Sequence, residues 1–169
     1  MIPENLRGRL LSQAELGGVA SSVAAHSHLW ESLVRHEPDQ RVFEELLTDE
    51  HLSVWLICWM EGHDTGFHDH DGAAGAVSVV QGSICESRLR FAGPPRSTVH
   101  HAREVLTFGP DDIHRVTHVA GEPAITIHAY SPELRRMGAY VEGPDGILMR
   151  RAQDEEEELV SLSPVAAVA

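Results

Sequence analysis

Two histidines separated by one residue, His68 and His70, are the most chemically suggestive feature of the sequence. In an extended strand, side chains two positions apart point to the same face and lie about 6.5 Å apart along the chain. Two imidazole rings at that separation can bind one ion, and neutral imidazole is a common protein ligand for iron, copper, nickel and zinc. The pair therefore predicts a metal site that needs a further donor from elsewhere in the chain.

Glycines flank this pair at distances that match a known motif. Gly62 lies six residues before His68, and Gly82 lies twelve residues after His70. The spacing fits the first cupin motif, in which a glutamate between the histidines and the last glycine normally binds the metal. The matching residue here is Gly75, which has no side chain to bind with. This motif therefore does not supply a site of two histidines and one carboxylate.

Two later histidines are candidates for the third donor. His114 follows a predicted turn, where the second cupin motif has its histidine, although Asp111 or Asp112 stands in place of the usual glycine. His118 would lie on the same strand face, four residues further along. Spacing alone leaves both residues open as the third ligand.

The composition is that of one soluble globular domain. The 169 residues, 42% of them apolar, suffice for a sizeable core. Thirteen basic against 26 acidic residues give a net charge of −13, which disfavours nucleic acid as a partner. No apolar run approaches the length of a membrane span, and the first residues lack an apolar signal core, so we expect a cytoplasmic protein without a membrane partner.

Helical patterns come first and strand patterns follow. Ser12 and Glu15 have the spacing of a capping box, which predicts a helix from about Ser12 to Ala25, and a second short helix is expected at Leu29 to Val34. The strand-like segments are rich in β-branched, aromatic and alternating residues: Arg41–Leu47, Leu52–Met60, Ala76–Phe91, Val99–Phe108, His114–Val119, Pro123–Ser131 and Ala139–Arg150.

This order of elements predicts an all-β fold with short N-terminal helices, a double-sheet barrel of the jelly-roll type. We expect a helical lead-in over residues 1–40 packed on a barrel over residues 41–152. An acidic, weakly ordered tail over residues 153–169 follows it. The whole is predicted to be a single domain.

Five motifs occur in the order found in a known enzyme family: Leu56-Ile57-Cys58-Trp59 with Glu61-Gly62-His63, His68-Asp69-His70, Gln81-Gly82, Ile113-His114-Arg115-Val116, and Ile127-His128-Ala129-Tyr130-Ser131-Pro132. Together they resemble the cysteine dioxygenase family of thiol dioxygenases, over a stretch from about Leu52 to Pro132. The resemblance implies a cupin-type double-stranded β-helix.

The resemblance also implies a chemistry. His68, His70 and His114 match the three histidines that bind Fe(II) in the family, and the partners implied are a small thiol or thione and O2. The thiol binds as thiolate, and both oxygen atoms end on sulfur as a sulfinate. Three neutral imidazoles leave the charge of Fe(II) uncompensated, which favours an anionic sulfur.

Thr126, His128 and Tyr130 lie at i, i+2 and i+4 and so share one strand face. In the family the corresponding run is Ser-x-His-x-Tyr, a hydrogen-bond relay that directs the tyrosine hydroxyl at the substrate. A buried tyrosine is otherwise most simply a packed ring with a satisfied hydroxyl. The resemblance implies a catalytic role for all three residues.

Two departures from the family concern the substrate pocket. Gly75 stands where animal enzymes have a cysteine that forms a thioether with the tyrosine, so no cross-link is expected. The arginine that binds the substrate carboxylate in the family aligns with Glu44, beside Phe43, and Arg41 could replace it only through a shift in register. The predicted substrate pocket comprises Arg41, Phe43, Glu44 and Gly75, with Trp59 as an aromatic wall.

An acidic pocket predicts a particular substrate. A carboxylate placed against Glu44 would be repelled, whereas an arginine would bind it through two hydrogen bonds. L-Cysteine is therefore expected to be a poor substrate, compared with thiols that lack the carboxylate or carry a cationic group. The alternatives to a thiol dioxygenase are another metal-dependent cupin oxygenase and a non-enzymatic cupin that binds a metal or small ligand.

Overall fold

A computed structural model describes residues 8–142 and 148–154, which form one α-helix, two short 3₁₀ helices and eleven strands. The helix is α1 (Gln13–Ala25), and the 3₁₀ helices are Ser27–Leu29 and Glu31–Leu33. The strands are β1 (Val42–Asp49), β2 (Leu52–Trp59), β3 (Phe67–Asp69), β4 (Ala74–Gln81), β5 (Ser83–Arg88), β6 (Arg96–His101), β7 (Val105–Phe108), β8 (His114–His118), β9 (Ala124–Ser131), β10 (Arg136–Glu142) and β11 (Leu148–Asp154).

The strands form two antiparallel sheets. One has the order β1-β2-β9-β4-β7, and the other has the order β11-β10-β3-β8-β5-β6. Most neighbouring pairs, such as β2 with β9 and β3 with β10, join strands that are far apart in the sequence, as in a jelly roll. The motif-bearing strands β3, β8 and β9 are therefore divided between the two sheets.

Helix α1 covers the outer face of the first sheet. The Ser12 amide donates to the Glu15 carboxylate at 2.9 Å, and the Glu15 amide donates to the Ser12 hydroxyl at 3.4 Å, which completes the predicted capping box. Leu16, Val19 and Ala20 are buried against strands β4, β7 and β9. The helix predicted at Ser12–Ala25 is thus confirmed, and the second predicted helix is a pair of 3₁₀ turns.

Strand β9 is buried along its whole length. Ile125, Ile127 and Ala129 pack in the cluster beneath α1, whereas Tyr130 packs in the cluster between the sheets. Because successive side chains of a strand point to opposite faces, Thr126 and His128 share the inner face with Tyr130. The alternation predicted for this strand thus directs the three polar residues into the barrel.

Several predicted strands are divided by turns. Ala76–Phe91 is two strands that meet at Gly82, where φ is +68° and an added Cβ would lie 2.8 Å from the Ala124 Cα. Only glycine adopts that conformation in so little space. Val99–Phe108 is likewise interrupted, by a turn at Arg103 with φ of 77°.

The described residues contain no helix long and apolar enough to cross a membrane. Of the predicted acidic tail, only the end of β11, up to Asp154, falls in the described part of the chain. The remainder of that tail and the first seven residues of the predicted lead-in lie outside the described residues.

Candidate metal centre

Three histidines converge at the joint between β3 and β8. His68 lies on β3, His70 follows that strand directly, and His114 begins β8, where it pairs with His68. Their ligand atoms lie within 4.8 Å of one another, and all three side chains are buried. His118 is not part of the group, because its Nε2 lies 3.0 Å from the carbonyl oxygen of Glu122. Of the two candidates that spacing left open, the geometry brings His114 to the pair.

The ring orientations suit metal binding. His68 Nδ1 lies 3.1 Å from the Gly66 carbonyl oxygen, and His114 Nδ1 lies 2.7 Å from the Glu86 carboxylate. Such contacts place the ring proton on Nδ1 and leave the Nε2 lone pair for a metal ion. His70 Nδ1 is buried and has no hydrogen-bond partner among the described residues. Buried polar atoms are rarely left unpaired, so this donor set fits a metal ion.

The charge state of the rings supports the same interpretation. Burial lowers the pKa of His68 well below its usual value, and the neighbouring His114 lowers it further. Burial also lowers the pKa of His70, with His68 as the next cause. Both rings are therefore neutral near pH 7, which is the form of imidazole that binds metals.

Phe108 takes the space in which the usual cupin glutamate would stand. A Cβ added at Gly75 would overlap the Phe108 ring. That ring stacks on His70 with centroids 4.4 Å apart and lies 4.6 Å from the ring of His114. Gly75 therefore makes room for an aromatic wall behind the histidines and does not itself line the cavity.

A line of hydrogen-bonding groups begins at Trp59 on β2 and runs along strand β9. The Trp59 indole nitrogen donates to Thr126 Oγ1 at 2.8 Å. Thr126 Oγ1 lies 2.8 Å from His128 Nε2, and His128 Nδ1 lies 3.1 Å from the Tyr130 hydroxyl. The structure brings together the three residues predicted for the relay and adds Trp59 to them. Burial lowers the pKa of His128 to about 3, so its ring is neutral.

A small cavity lies beside two of the histidines, His68 and His114, and beside this line of groups. The centres of water molecules can occupy about 30 Å³ of this cavity. That is room for about two or three waters. The residues that line it are mainly apolar or aromatic: Arg41, Trp55, Ile57, Trp59, Thr65, His68, His114, Val116, His128, Tyr130, Leu134 and Met137. The cavity is thus lined both by two of the three clustered histidines, His68 and His114, and by Tyr130.

The charged residue that lines the cavity is Arg41, not Glu44. Arg41 is 2% exposed, and its guanidinium carbon lies 5.3 Å from the centre of the Trp59 ring. Glu44 pairs with Leu56 on the face that packs toward α1, and its carboxylate forms an ion pair with Arg35. The prediction that Glu44 faces the site is therefore wrong. Phe43 shares the face of Arg41, but it packs against Trp55 and does not line the cavity.

The sequence of this chain matches one protein family over most of its length. The family model described as cysteine dioxygenase type I matches residues 4–143. The chain belongs to the cysteine dioxygenase type I family. Cysteine dioxygenase type 1 of Homo sapiens is 31% identical over an alignment of 108 residues, and the match covers 56% of this chain and 53% of that protein. The chain thus spans about half the length of the curated relatives it matches.

Solved structures support the fold of this cysteine dioxygenase family member. A Klebsiella pneumoniae protein with a double-stranded β-helix domain has a TM-score of 0.53 at 14% identity, over 73% of this chain and 94% of that one. A cupin superfamily protein from Desulfitobacterium hafniense has a TM-score of 0.51 at 12% identity, over 62% and 89%. The predicted cupin-type barrel and the predicted family are confirmed.

One buried carboxylate beside the histidines of this cysteine dioxygenase family member, Glu86, was not predicted from the sequence. Glu86 is 4% exposed, bonds to His114, and forms an ion pair with Arg88 at 2.9 Å. Burial raises the pKa of Glu86, but hydrogen bonds from His114 and Arg88 bring it below its usual value, so Glu86 is ionised. The available signal was its position two residues after Ile84, on the inward face of β5.

Proposed function

We propose that this chain is an iron-dependent thiol dioxygenase that adds both atoms of O2 to the sulfur of a small thiol. The reaction is RSH + O2 → RSO2H, in which sulfur loses four electrons and dioxygen gains four. The observation that supports it is a buried group of three histidines, two of which, His68 and His114, line a small cavity together with Tyr130. Iron held by His68, His70 and His114 would bring the thiol and dioxygen together there and lower the pKa of the thiol.

The residues around the cavity have separate tasks in this proposal. The apolar walls exclude water, which strengthens each polar contact inside. The Tyr130 hydroxyl orients the reacting groups through a hydrogen bond, and its ring is held by packing between the sheets. The neutral His128 behind Tyr130 positions that hydroxyl.

Arg41 points to the class of substrate. A buried guanidinium binds a carboxylate through charge-assisted hydrogen bonds, and the cavity has little room beyond a thiol of few heavy atoms. We therefore propose a small thiol that carries a carboxylate, such as L-cysteine or 3-mercaptopropionate. This reverses the substrate preference predicted from the sequence, because the acidic residue behind that preference, Glu44, lies outside the cavity.

A thiol panel tests the proposal. The iron-loaded chain is given L-cysteine, 3-mercaptopropionate, cysteamine and ergothioneine, and both oxygen uptake and sulfinate formation are measured. We expect one sulfinate per O2 consumed, with the two carboxylate-bearing small thiols preferred. Fully iron-loaded protein that makes no sulfinate from any thiol would contradict the proposed reaction.

Two variants, one just before β1 and one on it, test the substrate assignment. Arg41→Gln should lower kcat/KM for the carboxylate-bearing thiols about 10- to 100-fold, because hydrogen bonds between charged groups are lost. Turnover of cysteamine should change far less. Glu44→Gln is the matched control and should leave the ranking of thiols unchanged, since Glu44 is paired with Arg35. If Glu44→Gln changed the ranking of thiols and Arg41→Gln did not, the result would contradict the role of Arg41 and support the acidic pocket predicted from the sequence.

A further inference from the structure

The indole of Trp59 is hydrogen-bonded to the far end of the line of groups that leads to Tyr130. Trp59 is fully buried, and its Nε1 donates to Thr126 Oγ1 at 2.8 Å. An indole N–H can donate a hydrogen bond but cannot accept one, whereas threonine, histidine and tyrosine can each do both. Trp59 is therefore the one member of this line that can act only as a hydrogen-bond donor.

The hydrogen bond from Trp59 constrains the hydroxyl of Thr126. Its hydroxyl oxygen accepts a hydrogen bond from the Trp59 indole N–H, and the hydroxyl has one proton of its own to donate. Two acceptors lie near it: His128 Nε2 at 2.8 Å and the carbonyl oxygen of Ile57 at 3.4 Å. The distance to His128 is typical of a good hydrogen bond, and the distance to Ile57 is at the weak limit. Thr126 thus donates to His128, and Nε2 of His128 is the acceptor.

The position of the proton on His128 decides which group donates in the hydrogen bond between His128 and Tyr130. The ring of His128 is neutral and carries one proton, because burial depresses its pKa to about 3. If Nε2 accepts, that proton is on Nδ1, which lies 3.1 Å from the Tyr130 hydroxyl oxygen. Tyr130 accepts from His128 and keeps its own O–H as a donor toward another group.

We propose that Trp59 is a positioning residue whose N–H sets the direction of the line Thr126–His128–Tyr130, so that Tyr130 donates a hydrogen bond to the substrate. The consequence for turnover rests on the proposed function, whereas the position of the proton on His128 does not. Without the indole N–H, Thr126 can turn toward Ile57 and accept from Nε2–H of His128. In that reversed arrangement Tyr130 donates to His128 and has no proton left for the substrate.

The position of the proton is measurable without catalysis. The full chain, labelled with ¹⁵N in its histidines, is studied by long-range ¹H–¹⁵N NMR, first metal-free and then with zinc, which has no redox chemistry. We expect His128 to carry its proton on Nδ1. A proton on Nε2 in the unmodified chain would overturn the proposal, whether or not any variant folds.

Trp59→Phe removes the N–H and keeps an aromatic ring beneath Arg41 and beside His128. Loss of one hydrogen bond should shift the ratio of the two His128 tautomers about five-fold toward Nε2–H. Trp55→Phe is the matched control: Trp55 lines the same cavity, but its indole nitrogen has no hydrogen-bond partner among the described residues. That variant should leave the tautomer unchanged, and an equal shift in both variants would overturn the role of Trp59.

Kinetics separate this inference from the proposed function. In the iron-loaded chain, Trp59→Phe should lower kcat and leave KM for a carboxylate-bearing thiol nearly unchanged, since Arg41 remains. A shifted tautomer with unchanged kcat would overturn the claim that the direction matters for turnover. If the unmodified chain oxidises no thiol while the tautomers behave as expected, the proposed function fails and the hydrogen-bond direction stands.

Discussion

The strands β3 and β9 carry the two halves of the site, and they are held in place in different ways. Strand β9 lies in the middle of its sheet, paired along its length with β2 and β4 and buried throughout. Strand β3 is three residues long, pairs with β10 along that length, and meets β8 only through His68 and His114. The residues of the relay therefore lie on a long strand that is paired on both sides, whereas the His-x-His pair lies on and next to a short strand with fewer backbone partners, where side-chain contacts add support.

Asp69 provides the main such contact for β3. It lies between His68 and His70 in sequence and points to the opposite face. Arg150 on β11 donates to both Asp69 oxygens at 2.7 and 2.8 Å, and Tyr140 on β10 donates at 2.7 Å. Gly138 lies beneath this contact, and an added Cβ would lie 2.7 Å from the Asp69 carboxylate. A salt bridge across three strands thus holds the segment that carries two of the histidines.

The largest effect is expected from loss of a histidine on the β3 side. His114→Ala removes a metal donor, and the chain should lose most bound iron and all turnover. Metal content by elemental analysis and sulfinate formation measure this. His118→Ala, on the same strand but outside the group, is the control and should retain both. Iron retained in His114→Ala but lost in His118→Ala would reverse the choice of third ligand.

The β9 side should behave in the opposite manner. Tyr130→Phe keeps the packed ring and should retain iron, but kcat should fall about 10²–10⁴-fold, as is usual when a positioned acid or hydrogen-bond donor is lost. The measurement is turnover at saturating thiol, alongside iron content. An unchanged kcat would show that Tyr130 contributes only packing and not catalysis. Intact mass should also show no thioether, because Gly75 offers no sulfur.

A smaller effect is expected from the salt bridge behind β3. Arg150→Gln should lower the free energy of unfolding by about 1 kcal/mol, since the pair is partly exposed. It should also weaken metal binding, because β3 becomes less well held. Urea titration and competition with a chelator measure the two effects. The exposed neighbour Arg151 is the control, and Arg151→Gln should change stability by less than about 0.5 kcal/mol. Equal effects of the two variants would show that β3 needs no such support.

The smallest expected effect is a dependence of stability on pH at the loop before β3. Burial raises the pKa of Asp64, but hydrogen bonds from Arg115 outweigh it and hold the pKa below its usual value. A lowered folded-state pKa adds stability above the unfolded value of about 3.9, and this is lost as the pH falls through the folded value. Asp64→Asn should therefore narrow the difference in unfolding free energy between pH 7 and pH 3. An undiminished difference would contradict the role of this pair.

Local sequence patterns were sufficient to predict the start of the helix and the face of strand β9 that carries the polar residues. The capping box at Ser12 and Glu15 specified the start of α1, because its hydrogen bonds join residues three apart. The period of two placed Thr126, His128 and Tyr130 on one face of β9, as the structure has them. These inferences succeeded because each depends on the geometry of a single element.

Only the tertiary structure decided which distant residues share the cavity. His114 and His118 lie on one strand, and the pairing of β3 with β8 at His114 distinguishes them. On β1, a change of register by one residue exchanges the two faces, so the sequence alone did not decide between Arg41 and Glu44. Pairing of Phe43 with Ile57 and of Glu44 with Leu56 turns Arg41 into the barrel and Glu44 toward α1. The charge of the cavity, and with it the proposed substrate, follows from contacts between strands that no local pattern encodes.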